Sequence, residues 1–173
     1  MDGNMRSCDS ISMRKADESD LEALNALHQE AVQYFAFDPT HLIMPPEVCF
    51  SQGDLPPGGK REYFTINGIY DGDTLVGYTT LYSGYPEADT LYVCFLYIGE
   101  KKRGSGYGKQ AVELIAWYGR DKGMKRMLAA VSLKNWYGIR FWHSTGFTRV
   151  IKVSLEGPFS QTNYGCIELE RSL

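Results

Sequence analysis

The sequence predicts a mixed α/β domain in which a mostly antiparallel central sheet is flanked by helices. Two observations support this fold class. Apolar residues recur at helical spacing in some segments and form short strand-like runs in others, so helices alternate with strands. The chain has 173 residues, of which 43% are hydrophobic, and this is enough for one domain with a buried core. We therefore expect a polar N-terminal tail at residues 1–10 and a single domain at residues 11–173.

The first elements are a strand and a helix. Residues 11–15 are apolar enough for a short strand that enters the sheet. Asp17 follows as an N-cap candidate with Asp20 three residues later, and leucines then recur at helical spacing. This pattern predicts a helix over residues 18–36.

Three antiparallel strands come next in the middle of the chain. Residues 63–70 and 74–82 flank a turn signal, Asp71 followed by Gly72, which is typical of a hairpin. Residues 90–98 are almost all apolar or aromatic, as expected of a central strand that is buried on both faces.

The second half alternates helices and strands more regularly. Gly123 is a stop signal for one helix, and Asn135 is an N-cap candidate for another. The predicted elements are a helix over 104–123, a strand over 126–133, a short helix over 135–145, and two strands over 148–155 and 164–170.

Residues 38–60 interrupt this regular order, since they contain five of the seven prolines. Proline removes backbone donors and the glycines add freedom, so only a short helical turn near residues 46–50 is compatible with this composition. A long irregular segment inside a compact domain is usually functional or disordered. The segment is too apolar for a solvated linker, and we expect it to pack over the domain.

Bulk composition argues against several function classes. The net charge of −3 leaves no basic field for nucleic acid or an anionic membrane. No apolar run reaches the roughly 20 residues that span a bilayer, and the N-terminus lacks a signal-peptide core. The four cysteines form no Cys-x-x-Cys pair and the three histidines have no ligand spacing, so we expect a cytoplasmic protein with reduced thiols and no metal.

A glycine-rich turn lies where the central strand runs into the next helix. Its residues are Arg103, Gly104, Ser105, Gly106, Tyr107 and Gly108. The first N–H groups of a helix are free and the helix dipole favours anions there, so the turn can bind a pyrophosphate. Lysines at 101, 102 and 109 add positive charge. A plain turn with solvated lysines is the alternative.

Spacing separates this turn from two other phosphate-binding motifs. A Walker A loop needs glycine where Arg103 stands and Ser or Thr where Gln110 stands. The dinucleotide fingerprint is Gly-x-Gly-x-x-Gly, whereas residues 104–108 have Gly-x-Gly-x-Gly.

Together with a second block, the turn resembles the GNAT acyltransferase superfamily. Arg103, Gly106 and Gly108 occupy the three defining positions of its acetyl-CoA motif, Arg/Gln-x-x-Gly-x-Gly/Ala. The second block consists of Asn135, Gly138, Ile139, Phe141, Trp142, Gly146 and Phe147. The two blocks occur in order across residues 90–150, and the preceding elements match as well, so the resemblance covers most of the chain.

The resemblance implies the GNAT fold and an N-acetyltransferase. Such an enzyme moves the acetyl group of acetyl-CoA directly to a primary amine of a small molecule or peptide. A non-catalytic acyl-CoA-binding sensor with the same fold is the alternative. Dimers are frequent in the superfamily, so a homodimer is compatible with the sequence, which leaves the oligomeric state open.

The resemblance also assigns cofactor-binding residues. The main chain of Leu96, Tyr97 and Ile98 would bind the pantetheine arm, and the Ile98 N–H would polarise the thioester carbonyl. The pyrophosphate would lie on Arg103, Gly104, Ser105, Gly106, Tyr107, Gly108 and Lys109. On the following helix the arm would contact Asn135, Gly138 and Trp142, which are three and four residues apart and share one face.

Two departures from the family pattern leave proton transfer open. The family's usual tyrosine, which protonates the leaving thiolate, falls at Trp142, whose indole is not a usable acid. The position of a glutamate that is catalytic in some members falls at Tyr92, a poor base near neutral pH. Glu87 and Asp89 are candidates by proximity alone, with a solvated turn as the alternative.

The acceptor is expected against residues 38–60, because the loop after the first helix often walls the acceptor pocket in this fold. Carboxylates and aromatic faces together suit an ammonium group, which predicts a small amine or a peptide-like amine as substrate. A simple covering loop is the alternative. The relevant side chains are Asp38, His41, Glu47 and Asp54, with Tyr82 and Tyr85 nearby.

Overall fold

Eight strands and four α-helices make up the described part of the chain, which the computed structural model gives for residues 7–8, 11–155, 157–158 and 160–173. The strands are β1 (Ser7–Cys8), β2 (Ile11–Lys15), β3 (Phe64–Asp71), β4 (Thr74–Ser83), β5 (Thr90–Ile98), β6 (Arg126–Ser132), β7 (Arg149–Leu155) and β8 (Gly165–Ser172). The helices are α1 (Leu21–Tyr34), α2 (Pro46–Ser51), α3 (Tyr107–Asp121) and α4 (Trp136–Ser144).

All described strands form one sheet in the order β1-β2-β3-β4-β5-β6-β8-β7. Every neighbouring pair is antiparallel except β5 and β6, which are parallel. The mixed, mostly antiparallel sheet is thus confirmed. Of the expected tail, Ser7–Cys8 pairs with β2, whereas residues 1–6 and 9–10 lie outside the described residues. The described helices are too short or too polar to cross a bilayer.

Each face of the sheet carries its own apolar core. On one face α3 packs onto the sheet through a buried stripe, because apolar residues recur at positions three and four apart. The other face is covered by α1 and by the segment that contains α2, whose Cys49 is buried beside Phe64 and Tyr78. The expectation that residues 38–60 pack over the domain is therefore confirmed.

Most predicted elements occur with shifted ends. The first helix begins with a short 3-10 turn at Glu18–Asp20, capped by Asp17. Asn135 caps α4 by accepting the Gly138 N–H at 2.8 Å. Gly123 follows α3 with a φ of 75°, as a helix-terminating glycine does. The last strand runs two residues further than predicted, to Ser172.

The parallel strands β5 and β6 separate halfway along their length. Their pairing ends at Val93 with Ala129, although β5 stays paired with β4 up to Ile98 and β6 with β8 up to Ser132. A β-bulge at this point of β5 leaves Cys94 without a β4 partner, and bulges bend the strand that contains them. The sheet therefore opens into a cleft at the carboxyl ends of β5 and β6.

The junction between β2 and α1 is held by one carboxylate. Asp20 is buried and accepts two hydrogen bonds from Arg14, both at 2.8 Å, and one from the Tyr70 hydroxyl at 2.7 Å. It also accepts the Asp17 N–H at 3.0 Å. Burial alone would raise the pKa of Asp20, but the hydrogen bonds from Arg14 and Tyr70 lower it below its ordinary value.

Asp20→Asn should lower the free energy of unfolding by roughly 2 kcal/mol at neutral pH, because a buried acceptor of charged hydrogen bonds is lost. Urea unfolding measures this difference. A group with a depressed pKa stabilises the fold above that pKa, so the deficit should shrink as pH falls through the folded-state pKa of Asp20. Glu22→Gln, an exposed change on the same helix, is the control. A deficit that does not change with pH would contradict this account.

Candidate active site

The glycine turn between β5 and α3 has a backbone that only glycine adopts readily. Gly104 and Gly106 have φ values of 80° and 84°, in the left-handed region. The first intrahelical hydrogen bond runs from Gln110 N–H to Gly106 C=O at 3.1 Å. The N–H groups of residues 107–109 therefore remain outside the helical pattern and can donate to an anion.

Arg103 does not extend freely toward the turn. Its guanidinium carbon lies 4.2 Å from the centre of the Tyr34 ring and 4.8 Å from that of Tyr97, and its Nε donates to the Ile98 carbonyl at 3.1 Å. Arg103 thus ties the end of α1 to the end of β5. Its side chain helps to position the groove, while its charge still contributes to the positive potential there.

The base of the turn is tied to the β3–β4 hairpin. The Tyr107 hydroxyl donates to Asp71 Oδ2 at 2.6 Å, and Lys102 Nζ lies 3.7 Å from the same oxygen. The hydrogen bond to Asp71 raises the pKa of Tyr107. These contacts join the start of α3 to a distant turn, so the anion-binding end has a defined position.

The turn opens onto a groove of about 530 Å³. The end of β5 forms one wall of the groove. One hydrogen bond next to this wall shows which N–H groups of β5 point toward β4 and which point away from it. Gly99 N–H donates to Val76 C=O at 2.9 Å, and pairs alternate along antiparallel strands. Leu96 and Ile98 therefore direct their N–H groups away from β4 and into the cleft. The predicted pantetheine-binding strand has the main-chain donors that this role needs.

The opposite wall of the groove is formed by one face of α4 and its N-cap residue. Asn135 uses its side-chain oxygen to cap the helix, which leaves its amide NH₂ group to face a ligand. A Cβ at Gly138 would lie 2.4 Å from that NH₂ nitrogen, so a larger residue here would displace the Asn135 side chain. Trp142 packs edge-on against Phe147 at 4.8 Å between ring centres and reaches the inner end of the groove.

One further cavity adjoins the inner end of the groove, and a second adjoins the first. A narrow passage of about 50 Å³ shares Phe35, Leu96, Asn135 and Trp142 with it. This passage shares His41, Cys94 and Phe95 with an acceptor cavity of about 300 Å³, named here for its proposed role. The remaining walls of the acceptor cavity are Thr40, Leu42, Ile43, Met44, Cys49, Asp54, Tyr78 and Thr80. The passage therefore adjoins the groove at Leu96 and Trp142 and the acceptor cavity at His41 and Cys94.

His41 lies where the passage meets the acceptor cavity. The segment that carries it is held by Asp38, which is buried and accepts hydrogen bonds from the Thr40 N–H at 3.0 Å and the Thr40 hydroxyl at 2.6 Å. Burial alone would raise the pKa of Asp38, but hydrogen bonds from Ser132 and Thr40 lower it. Partial burial lowers the pKa of His41 despite the opposing charges of Asp38 and Asp54. The lowered pKa favours the neutral imidazole.

Several candidates from the sequence lie away from these cavities. The Tyr92 hydroxyl donates to Glu168 at 2.7 Å, and burial and this bond raise its pKa. Asp89 forms a salt bridge with Arg126 at 2.9 Å, while Glu47 accepts from Asn25 on the surface. Glu87 is exposed on the turn before β5.

The aromatic candidates near the acceptor are also engaged elsewhere. Tyr82 accepts the Lys60 N–H at 2.9 Å and so anchors the end of the Pro-rich segment. The Tyr85 ring lies against Tyr92, with 6.0 Å between centres. Neither is among the residues that line the groove, the passage or the acceptor cavity.

Other site residues carried no signal in the sequence. Tyr34 and Phe35 reach the groove from the end of α1, and Tyr78 and Cys94 reach the acceptor cavity from neighbouring strands. Each follows the ordinary periodicity of its own helix or strand. Only the packing of α1 and residues 38–60 onto β4 and β5 brings them to the cavities.

Known acetyltransferases are similar to this chain in sequence and in fold. A model of the acetyltransferase (GNAT) family matches residues 24–147. An acetyltransferase from Thermus thermophilus is 25% identical, with a TM-score of 0.72 over 95% of this chain and 97% of that chain. The yncA protein of Salmonella typhimurium, solved with its cofactor acetyl-CoA, is 18% identical, with a TM-score of 0.66 over 95% of each chain.

A spermidine N-acetyltransferase from Vibrio cholerae, in complex with CoA and spermine, has the same fold. It is 12% identical, with a TM-score of 0.73 over 95% of this chain and 96% of that chain. No curated protein matches the sequence.

Gly106→Asp should weaken coenzyme A binding by about tenfold or more, because it strains a left-handed backbone position and puts a carboxylate at the anion-binding turn. Calorimetric titration measures the dissociation constant. Gly123→Asp is the matched control, since its φ of 75° brings similar strain at the other end of α3. Equal affinity in the Gly106 variant and the wild type would contradict the assignment of the turn.

Proposed function

The chain belongs to the acetyltransferase (GNAT) family, and from this premise we propose that it moves the acetyl group of acetyl-CoA directly to a primary amine of a small molecule or peptide. The observation that carries the proposal is the meeting of two ligand spaces. The groove with the glycine turn and the acceptor cavity adjoin through one passage, lined by Leu96, Trp142 and His41.

The groove has the donors that acetyl-CoA requires. The free N–H groups of residues 107–109, with Lys102 and Lys109 beside them, suit the pyrophosphate. The main chain of Leu96 and Ile98 suits the amide groups of the pantetheine arm, as does the NH₂ group of Asn135. Bound acetyl-CoA supplies the acetyl thioester, whose C–S bond breaks as the amine nitrogen bonds the acyl carbon, so that an amide and a free thiol result.

The passage indicates which main-chain donor faces the thioester carbonyl. Leu96 lines both the groove and the passage, whereas Ile98 lines the groove alone. The reacting carbon has to lie at the passage, because the amine arrives from the acceptor cavity. We therefore assign polarisation of the carbonyl oxygen to the Leu96 N–H, and the role that the resemblance suggests for Ile98 becomes binding of the pantetheine arm.

His41 is the best-placed group to take the proton of the acceptor amine. It lines both the acceptor cavity and the passage, and its lowered pKa favours the neutral imidazole that a base requires. Asp38 positions the loop, since its carbonyl accepts the His41 N–H at 3.1 Å. Trp142 walls the passage and keeps water from the reacting atoms.

Purified protein should release free thiol from acetyl-CoA only when a primary amine is added, because the acyl carbon needs that nucleophile. The measurement is thiol release across a panel of alkylamines, polyamines and peptides, with mass spectrometry of the acetylated product. Tertiary amines of similar size are the control. Tight acetyl-CoA binding without thiol release from any amine would favour the non-catalytic sensor.

His41→Gln should lower kcat/KM by about a hundredfold at neutral pH, because the cationic amine then lacks a base. The deficit should shrink as pH rises toward the pKa of the amine, since solution then supplies the neutral nucleophile. A pH profile of kcat/KM measures this. His143→Gln, an exposed change on α4, is the control. A deficit of the same size at every pH would show that His41 acts only in packing.

A further inference from the structure

The far end of the acceptor cavity has features that the transfer reaction does not use. Cys49, Asp54, Tyr78 and Thr80 line the acceptor cavity but not the passage. They therefore lie beyond His41, on the side away from the groove. A substrate whose reacting amine is at the passage would place its other end among them.

Asp54 carries the only fixed charge among the described residues that line the acceptor cavity. It forms no salt bridge or hydrogen bond with another described residue. It interacts electrostatically with His41, Cys49 and Cys94, which places it close to all three. Asp54 is exposed, and no described residue competes with a ligand cation for its carboxylate.

The Tyr78 hydroxyl is the second feature. Tyr78 is 1% exposed, and its hydroxyl has no hydrogen-bond partner in the described part of the chain. Buried polar groups without a partner are rare and costly. The hydroxyl is closed off from the cavity in the free protein, so an N–H donor of a ligand would satisfy its oxygen once the Tyr78 side chain shifts toward the cavity that it lines.

The other groups at this end of the acceptor cavity are neutral. Burial raises the pKa of the Cys49 thiol to about 12 and raises that of Cys94 as well, so neither becomes a thiolate at neutral pH. Leu42, Ile43 and Met44 add apolar surface. One carboxylate in such surroundings favours an alkyl chain that ends in a cation.

We propose that Asp54 and Tyr78 form a second recognition point, which selects acceptors with a cationic group at the end opposite the reacting amine. The preferred substrate class is then a small diamine or a related dication, in a cavity of about 300 Å³. This inference rests on the proposed function, because it places the reacting amine at the passage.

The test compares diaminobutane with aminobutane as acceptors in the thiol-release assay. The wild type should prefer the diamine by kcat/KM. In Asp54→Asn this preference should fall by about tenfold or more, as expected for the loss of a charged hydrogen bond. In Tyr78→Phe it should fall by about threefold with no loss of thermal stability, because the hydroxyl has no partner in the free protein. Glu62→Gln, an exposed change outside the acceptor cavity, should keep the full preference.

Binding of the same two amines to the CoA-saturated protein, measured by calorimetry, separates this inference from the proposed function. Suppose that neither amine is acetylated, that the diamine binds more tightly than aminobutane, and that Asp54→Asn removes this difference in affinity. The transferase proposal then fails and the recognition point stands. If the amines are acetylated and bound equally well, or if the preference survives in Asp54→Asn, the recognition point is overturned. Absence of binding by either amine overturns it as well.

Discussion

The separation of β5 from β6 is the constraint on which the rest of the site depends. Two parallel strands that part after Val93 and Ala129 expose main-chain groups that a regular sheet would pair. Unpaired backbone groups in a protein interior are costly, so the cleft is suited to a ligand that pairs with them. The bulge at Cys94 bends β5 at this position. Beyond it β5 stays paired with β4 and β6 with β8, so the two strands frame the cleft.

The two ends of this cleft are built by different means. The outer end depends on local backbone chemistry, namely left-handed glycines that open a helix, and on anchors such as Asp71 and Arg103 that hold the turn in place. The inner end depends on burial. Partial burial lowers the pKa of His41, and fuller burial keeps the cysteine thiols protonated and leaves the Tyr78 hydroxyl without a partner among the described residues. A charged cofactor and a reacting amine need these opposite environments, and β5 is the element that borders both.

The Pro-rich segment, residues 38–60, forms the second wall at the inner end of the cleft. Its prolines prevent a long helix, so the chain makes several short turns over β4 and β5. One turn contributes Asp38 and His41, and Asp54 comes from beyond α2. Arg61 holds the segment by donating to the carbonyls of Cys49 and Phe50, each at 3.0 Å. Such a wall can vary in sequence while the sheet and the glycine turn stay the same, which is how one fold accommodates different acceptors.

The sequence by itself determined the features that depend on near neighbours. The period of the apolar residues identified the helices and strands, and Asp17 and Asn135 marked helix starts. Arg103, Gly106 and Gly108 carried a resemblance to a known family, and that resemblance implied the cofactor. Only the tertiary structure decided that Arg103 lies between Tyr34 and Tyr97 and that the Tyr92 hydroxyl is bound to Glu168. It also decided that His41 lines the same passage as Leu96 and Trp142. These contacts join residues that are far apart along the chain. Their geometry follows from how the sheet and the helices pack, and a local sequence pattern does not predict that packing.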